Sequence, residues 1–270
     1  MRGGGGGVTP VRVLIVAGSD SGGGAGIQAD IKTVTMLGGY AATAVTAITV
    51  QNTLGVSGVV PVAPEIVAAQ MRAVLEDIGA DIIKIGMLGD AATIAAVAEV
   101  LRDVRLPVVL DPVMVAKGGA ALLEDDAVDA MLRLLVPLAT VVTPNTPELA
   151  ALTQSEIDDE GDAVLAAQEL LDAGARAVLA KGGHLAGDTV ADWLVTANLQ
   201  QRFVSPRIDT RHTHGTGCTL ASALATRIAQ GMALPDAVAA ARDYVHAAIA
   251  AAPGFGAGHG PLRHNWALGR

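Results

Sequence analysis

The sequence predicts an α/β fold in which a mostly parallel central sheet is covered by helices on both faces. Three observations carry this. Short, continuous apolar runs such as VRVLIVAG and LPVVLDPV suit strands buried on both sides. Between them lie stretches with helical periodicity, and repeated strand and helix units favour right-handed crossovers and a parallel sheet. The chain is 51% hydrophobic but only 2% aromatic, so Ala, Val, Leu and Ile must fill closely spaced layers.

The first strand covers residues 11–18 and a helix follows over about 25–37. AATAVTAITV then reads as strand, 64–78 as helix, DIIKIGM as strand, 91–102 as helix and LPVVLDPV as strand. Next come a helix over 125–135, the strand ATVVTPN, a helix over 163–173 and the strand ARAVLAKGG. A hairpin-like pair near 189–196 and 201–205 precedes two closing helices, from Thr216 and from Pro235.

A length of 270 residues suits one large α/β domain, expected over 11–270 behind a disordered Gly-rich tail at 1–10. The net charge of -9 argues against a nucleic-acid surface, which needs a field of Lys and Arg. Any phosphate must be captured locally. The single cysteine, Cys218, forms no internal disulfide, and MRGGGGGVTP lacks the apolar run of a secretory signal, so a cytoplasmic location is expected. The uncharged stretch over 38–64 is long enough to span a bilayer, but Thr, Gln, Asn, Gly and Pro interrupt it throughout. No membrane partner is expected.

In such sheets ligands sit beyond the carboxyl ends of the strands. The unusual residues here cluster at those ends: GSDSGGGAG, Gln51-Asn52, Gly86-Met87, Asp111-Pro112, Thr143-Pro144-Asn145 and Lys181-Gly182-Gly183. GSDSGGGAG is neither a P-loop nor a dinucleotide fingerprint, and it reads equally as a tight turn or as a place for close ligand approach. The stronger signal is HTHGTGCTLASALA, where Gly215, Thr216, Gly217 and Cys218 open an apolar helix and would offer backbone N–H groups to an anion. Such donors suit a transferring phosphoryl group.

Three further groups keep two readings each. Cys218 in a first helical turn is either a dipole-assisted thiolate or a buried small hydrophobe. Asn145 and Glu148 form either a helix capping box or, with Asp111, an edge where Mg²⁺ is held through water. Lys181 is either a solvated strand end or, beside Gly182 and Gly183, a phosphate contact. His184, His212, His214 and Cys218 lack a zinc-site spacing. A cysteine-dependent hydrolase using Cys218 with His212 or His214, and a ligand-binding regulator that has lost catalysis, are the rival classes.

Taken together, AGSDSGGGAGIQADIKT, TAITVQNTLGV, KIGML, VVLDPVM, VTPNTPE, LAKGGH and HTHGTGCTL resemble the hydroxymethylpyrimidine and phosphomethylpyrimidine kinases of thiamine biosynthesis. The resemblance runs from about Val11 to the closing helices. It implies a ribokinase-like three-layer sandwich, ATP and Mg²⁺, and two successive phosphorylations of 4-amino-5-hydroxymethyl-2-methylpyrimidine. A pyridoxal kinase is the alternative on the same scaffold. By resemblance, Gly215, Thr216, Gly217 and Cys218 are the anion hole, and Lys181, Asn145, Glu148, Gly183 and Thr216 serve ATP. Asp111 and Glu148 organise the Mg²⁺ ion through bridging water. Ala25, Asp30, Gln51, Met87 and Met114 surround the pyrimidine, with Asp30 receiving the exocyclic amine. A homodimer is expected on the same ground.

Overall fold

A computed structural model describes residues 9–114 and 125–268; the first eight residues of the expected tail lie outside them. One nine-stranded sheet runs through the chain in the order β3-β2-β1-β4-β5-β6-β7-β8-β9. Its strands are β1 (Arg12–Asp20), β2 (Tyr40–Asn52), β3 (Gly55–Pro61), β4 (Ile82–Ile85), β5 (Val108–Leu110), β6 (Val141–Val142), β7 (Ala177–Lys181), β8 (Thr189–Thr196) and β9 (Leu199–Pro206). The six from β2 through β7 pair in parallel, and antiparallel pairs close both edges.

Strand alternation makes the three layers. Val13, Ile15 and Ala17 of β1 pack toward α1 (Gly26–Met36), α7 (Thr216–Ala229) and α8 (Leu234–Ala250). Leu14 and Val16 point the other way. They meet the layer of α2 (Pro64–Asp77), α3 (Ala91–Arg102), α4 (Asp125–Leu134), α5 (Thr146–Thr153) and α6 (Glu160–Asp172). Small side chains let α7 lie close, with Ala221, Ala223 and Ala225 fully buried.

The structure adds two elements to the expected order. β3 carries Gly55, Gly58 and Pro61, poor strand formers that an edge position tolerates. α5 is a separate eight-residue helix, opened by the capping box of Asn145 and Glu148. The sheet order also fixes where a ligand goes. Connections from β1 lead to β2 on one side and, after the hairpin, to β4 on the other, so a crevice opens at the carboxyl end of β1.

Candidate active site

A cavity of about 660 Å³ occupies that crevice. Asp20 organises its rim. This carboxylate is 2% exposed and accepts the backbone N–H groups of Gly22 at 2.7 Å, Gly24 at 3.0 Å and Ala25 at 2.8 Å. It also meets His214 Nε2 at 2.9 Å. One side chain thus ties the glycine loop to the turn that opens α7.

That turn needs glycine. Gly215 has φ +84°, and a Cβ there would lie 1.8 Å from the Gly24 carbonyl oxygen. The two segments pack backbone on backbone, so GSDSGGGAG is a structural turn and a cavity wall at once, with Ala25 and Gly26 on the lining. At the start of α7 the Thr216 N–H already donates to the Thr213 carbonyl at 3.3 Å. The anion-binding donors of the first turn therefore narrow to Gly217 and Cys218.

Gly217 lies against two charged groups. A Cβ there would be 3.3 Å from Lys181 Nζ and 3.7 Å from Asp111 Oδ2. Lys181 Nζ donates to Asp111 Oδ1 at 3.0 Å and stands 3.8 Å from Glu148 Oε2. Burial pulls the Lys181 ammonium down, but Asp111 and Glu148 outweigh it and raise it above its ordinary value. Burial pushes the Glu148 carboxyl up to about 7, against the pull of Lys181. The capping box is present as well: Glu148 Oε2 accepts the Asn145 N–H at 2.8 Å, and Asn145 Oδ1 accepts the Glu148 N–H at 2.9 Å. Asp111 Oδ2 is buried with no hydrogen-bond partner among the described residues. An orphaned carboxylate oxygen beside a second carboxylate fits Mg²⁺, which takes one or two protein oxygens and fills its shell with water and phosphate.

A second cavity of about 700 Å³ lies on the other side of these residues. Both cavities are lined by Asn145, Lys181, His184, Thr213, Thr216 and Gly217. Gln51, Met87, Met114, Gly215, Cys218, Asp111 and Glu148 line only the first, and Gly183 only the second. The second is walled by β8, β9 and α8, including Arg207, Arg242 and His246.

Two expectations are corrected. Asp30 does not line the cavity: it is fully buried, and Lys84 Nζ donates to both its oxygens at 3.0 and 2.9 Å while Ser222 donates to Oδ1 at 2.6 Å. A carboxylate so engaged has no free face for an exocyclic amine. It ties α1, β4 and α7 together beneath the site instead. Cys218 is not a dipole-assisted thiolate, because burial pushes its thiol up to about 12, with the Lys84 cation pulling down and Asp30 and Asp111 pushing up. His214 Nε2 meets Asp20 at 2.9 Å and the Gln51 amide at 3.3 Å, so that ring nitrogen is not paired with the thiol.

The sequence left Asp20, Thr49 and Lys84 without a role and weighed His214 only as a zinc ligand or hydrolase partner; all four stand on the first cavity's wall. Lys84 left a legible signal, since a lysine inside the apolar run DIIKIGM needs a buried partner. Burial pulls its ammonium down, but Asp30, then Cys218 and Asp111, raise it above its ordinary value.

The sheet, the amide-rich helix start and the two chambers meeting at Lys181 define a ribokinase-like small-molecule kinase. Known proteins agree. The family described as phosphomethylpyrimidine kinase matches residues 20–263. A hydroxymethylpyrimidine/phosphomethylpyrimidine kinase of Streptomyces coelicolor is 51% identical over 97% of each chain. A thiamine biosynthesis bifunctional protein of Geobacter sulfurreducens is 56% identical over 93% of this chain, which spans 52% of that relative's length. The ADP complex of Bacillus subtilis pyridoxal kinase superposes with a TM-score of 0.90 at 35% identity, covering 97% of this chain and 100% of that one. The chain belongs to the phosphomethylpyrimidine kinase family.

Proposed function

We propose that the chain transfers the terminal phosphoryl group of ATP to the hydroxymethyl oxygen of 4-amino-5-hydroxymethyl-2-methylpyrimidine, and then phosphorylates the monophosphate to the diphosphate for thiamine diphosphate biosynthesis. The observation that carries this is the shared wall. Two cavities, each large enough for one small molecule, share a wall of Asn145, Lys181, His184, Thr213, Thr216 and Gly217. The alcohol occupies the first, against Gln51, Ala25, Met87 and Met114, and the nucleotide the second, along Gly183 and Arg207.

In this arrangement the hydroxymethyl oxygen attacks the γ-phosphorus, the bond to the bridging oxygen breaks and ADP leaves. The Gly217 and Cys218 amides and the Lys181 ammonium meet the charge that collects on the transferred oxygens. A loose transition state releases the hydroxyl proton late, to an oxygen of the transferred phosphoryl group, so a thiol with its proton in place suits a packing and amide-presenting role for Cys218. Mg²⁺, held by Asp111 and Glu148 partly through water, would neutralise phosphate charge. Glu148 does double service, because its capping-box contact also fixes the helix that carries it.

The homodimer is supported by one sheet face. Ile48, Val50 and Val60 are 56%, 60% and 62% exposed, and Ile48 pairs directly with Val60 across β2 and β3. Thr49 and Gln51 point from the opposite face of β2 into the cavity, so a second copy on the apolar face would brace the strand that reads the alcohol. No helix among the described residues is long and apolar enough to cross a membrane, and a cytoplasmic site of action accords with ATP as donor.

Pyridoxal is the second reading, favoured by the close superposition on a pyridoxal kinase. ADP release decides between them, with the pyrimidine alcohol, its monophosphate and pyridoxal offered separately. Turnover of both pyrimidines well above that of pyridoxal is expected; turnover of pyridoxal alone would overturn the proposal.

A further inference from the structure

Proton counting around Gln51 determines which way its amide points. Thr49 has one hydroxyl hydrogen, and it donates to the Ser19 carbonyl at 2.8 Å. At its 3.2 Å contact with the Gln51 amide, the Thr49 oxygen can therefore only accept. On the other side, His214 Nε2 lies 2.9 Å from Asp20 Oδ2 and 3.3 Å from the Gln51 amide. Asp20 takes three backbone N–H groups as well, the setting of an ionised, acceptor-only carboxylate. His214 Nε2 must then carry the hydrogen that faces it.

With Oε1 against Thr49 and Nε2 against His214, an acceptor faces an acceptor and a donor faces a donor. The two ends of an amide are nearly alike in size, so the network assigns them. Exchanging the ends resolves both conflicts together: the amide nitrogen donates to Thr49, and the amide oxygen accepts from His214 in a bond shared with Asp20. Two independent neighbours demand the same orientation.

We propose that Thr49, His214 and Asp20 are positioning residues that lock Gln51 so that it offers the cavity a donor on its Thr49 side and an acceptor on its His214 side. This rests on the pyrimidine reading above and deepens it into a basis for selectivity. An aminopyrimidine edge presents an exocyclic N–H beside a ring nitrogen, a donor and an acceptor in fixed order, and it fits one orientation of the amide. A ring hydroxyl, as on pyridoxal, rotates to donate or accept and tolerates either. Locking the amide therefore favours the amine-bearing ring, and freeing it should cost that ring alone.

The test is Thr49→Val, which keeps the shape and removes the oxygen. The KM for the pyrimidine alcohol should rise about tenfold, the size of one lost hydrogen bond, with the KM for pyridoxal and for ATP within about twofold. Selectivity for the pyrimidine falls by the same factor, and Thr49→Ser restores it. An unchanged pyrimidine KM in a folded Thr49→Val protein would overturn the proposal. Nitrogen-15 NMR of His214 in the ligand-free wild-type protein gives a second readout that needs neither a variant nor a substrate. The Nε2–H tautomer is expected, and an Nδ1–H tautomer sinks the lock whatever the enzyme phosphorylates. Absence of pyrimidine turnover in the wild-type protein, with the Nε2–H tautomer present, would instead remove the proposed function and leave the amide orientation standing.

Discussion

The two chambers that meet at Lys181 are built by different means. The alcohol side is closed by buried groups with fixed partners: Asp20 collects four donors, and Thr49 and His214 hold Gln51. The nucleotide side holds a buried pair, Arg242 with Asp192, within a rim of exposed charge. There Arg207 donates to the carbonyls of Gly183, Leu185, Gly187 and Thr189, pinning the loop after β7 from outside. A small ring with few polar atoms needs ordered donors and acceptors, whereas a polyphosphate is gripped by charge and by main chain that can follow it. Perturbing one side should therefore move one ligand and spare the other, except where the sides share backbone.

The shared backbone gives the largest expected effect. Gly215→Ala places a methyl group 1.8 Å from the Gly24 oxygen at a φ of +84°. The turn must shift, moving the amides of Gly217 and Cys218 and the Asp20 loop together. Turnover should fall at least about a hundredfold, the scale of losing an oxyanion donor, with weaker binding of both ligands by calorimetry. Loss of only one ligand would separate chambers that the packing joins.

Cys218→Ala comes next. With the thiol pushed up to about 12, removing it takes away packing and a contact from the Gly26 amide but no titrating base. Turnover should drop about tenfold while the pyrimidine KM stays within about twofold, and the pH profile of turnover should keep its shape. A limb of that profile lost in the variant would restore the thiol as a base.

This contrast also explains what could be read from the chain. The order of strands and helices was visible because apolar runs and helical periods alternate with few exceptions, and motifs at strand ends marked the rim. Gly217 and Lys181 stood out by residue type. Asp30 misled because its place in a matching motif does not show that Lys84, 54 positions away, already occupies it. Asp20 and His214, 194 positions apart, act as a pair only once β1 and α7 are packed side by side. Thr49 has no signature at all, since its importance lies in where its one hydrogen goes.

Arg207→Ala probes the nucleotide side alone. It releases four carbonyls of the loop that carries Gly183 and leaves Asp20, Thr49 and Gln51 untouched. The KM for ATP should rise about fivefold to tenfold, equivalent to about 1 kcal/mol of lost ordering, with the pyrimidine KM unchanged. A matching rise for the pyrimidine would mean the loop also closes over the alcohol.

The smallest effect concerns how the nucleotide-side wall is fastened. Glu160, at the start of α6, accepts from Arg202 at 2.6 Å and from Trp193 Nε1 at 2.7 Å, tying the β8–β9 pair to the helix layer. Arg202 holds its carboxyl down to about 2. A carboxyl depressed in the folded state contributes stability above its unfolded value near 4.5 and loses it as pH falls toward 2. The pair is partly exposed, with side chains 43% and 35% accessible, so solvent screening leaves it only a small share of the stability. Glu160→Gln should lower the melting temperature by about 1–3 °C at neutral pH, and the gap from wild type should narrow between about pH 5 and pH 3. A gap that holds constant through that range would show that the contact is carried by shape and the Trp193 hydrogen bond rather than by charge, making the two chambers more alike in construction than their surfaces suggest.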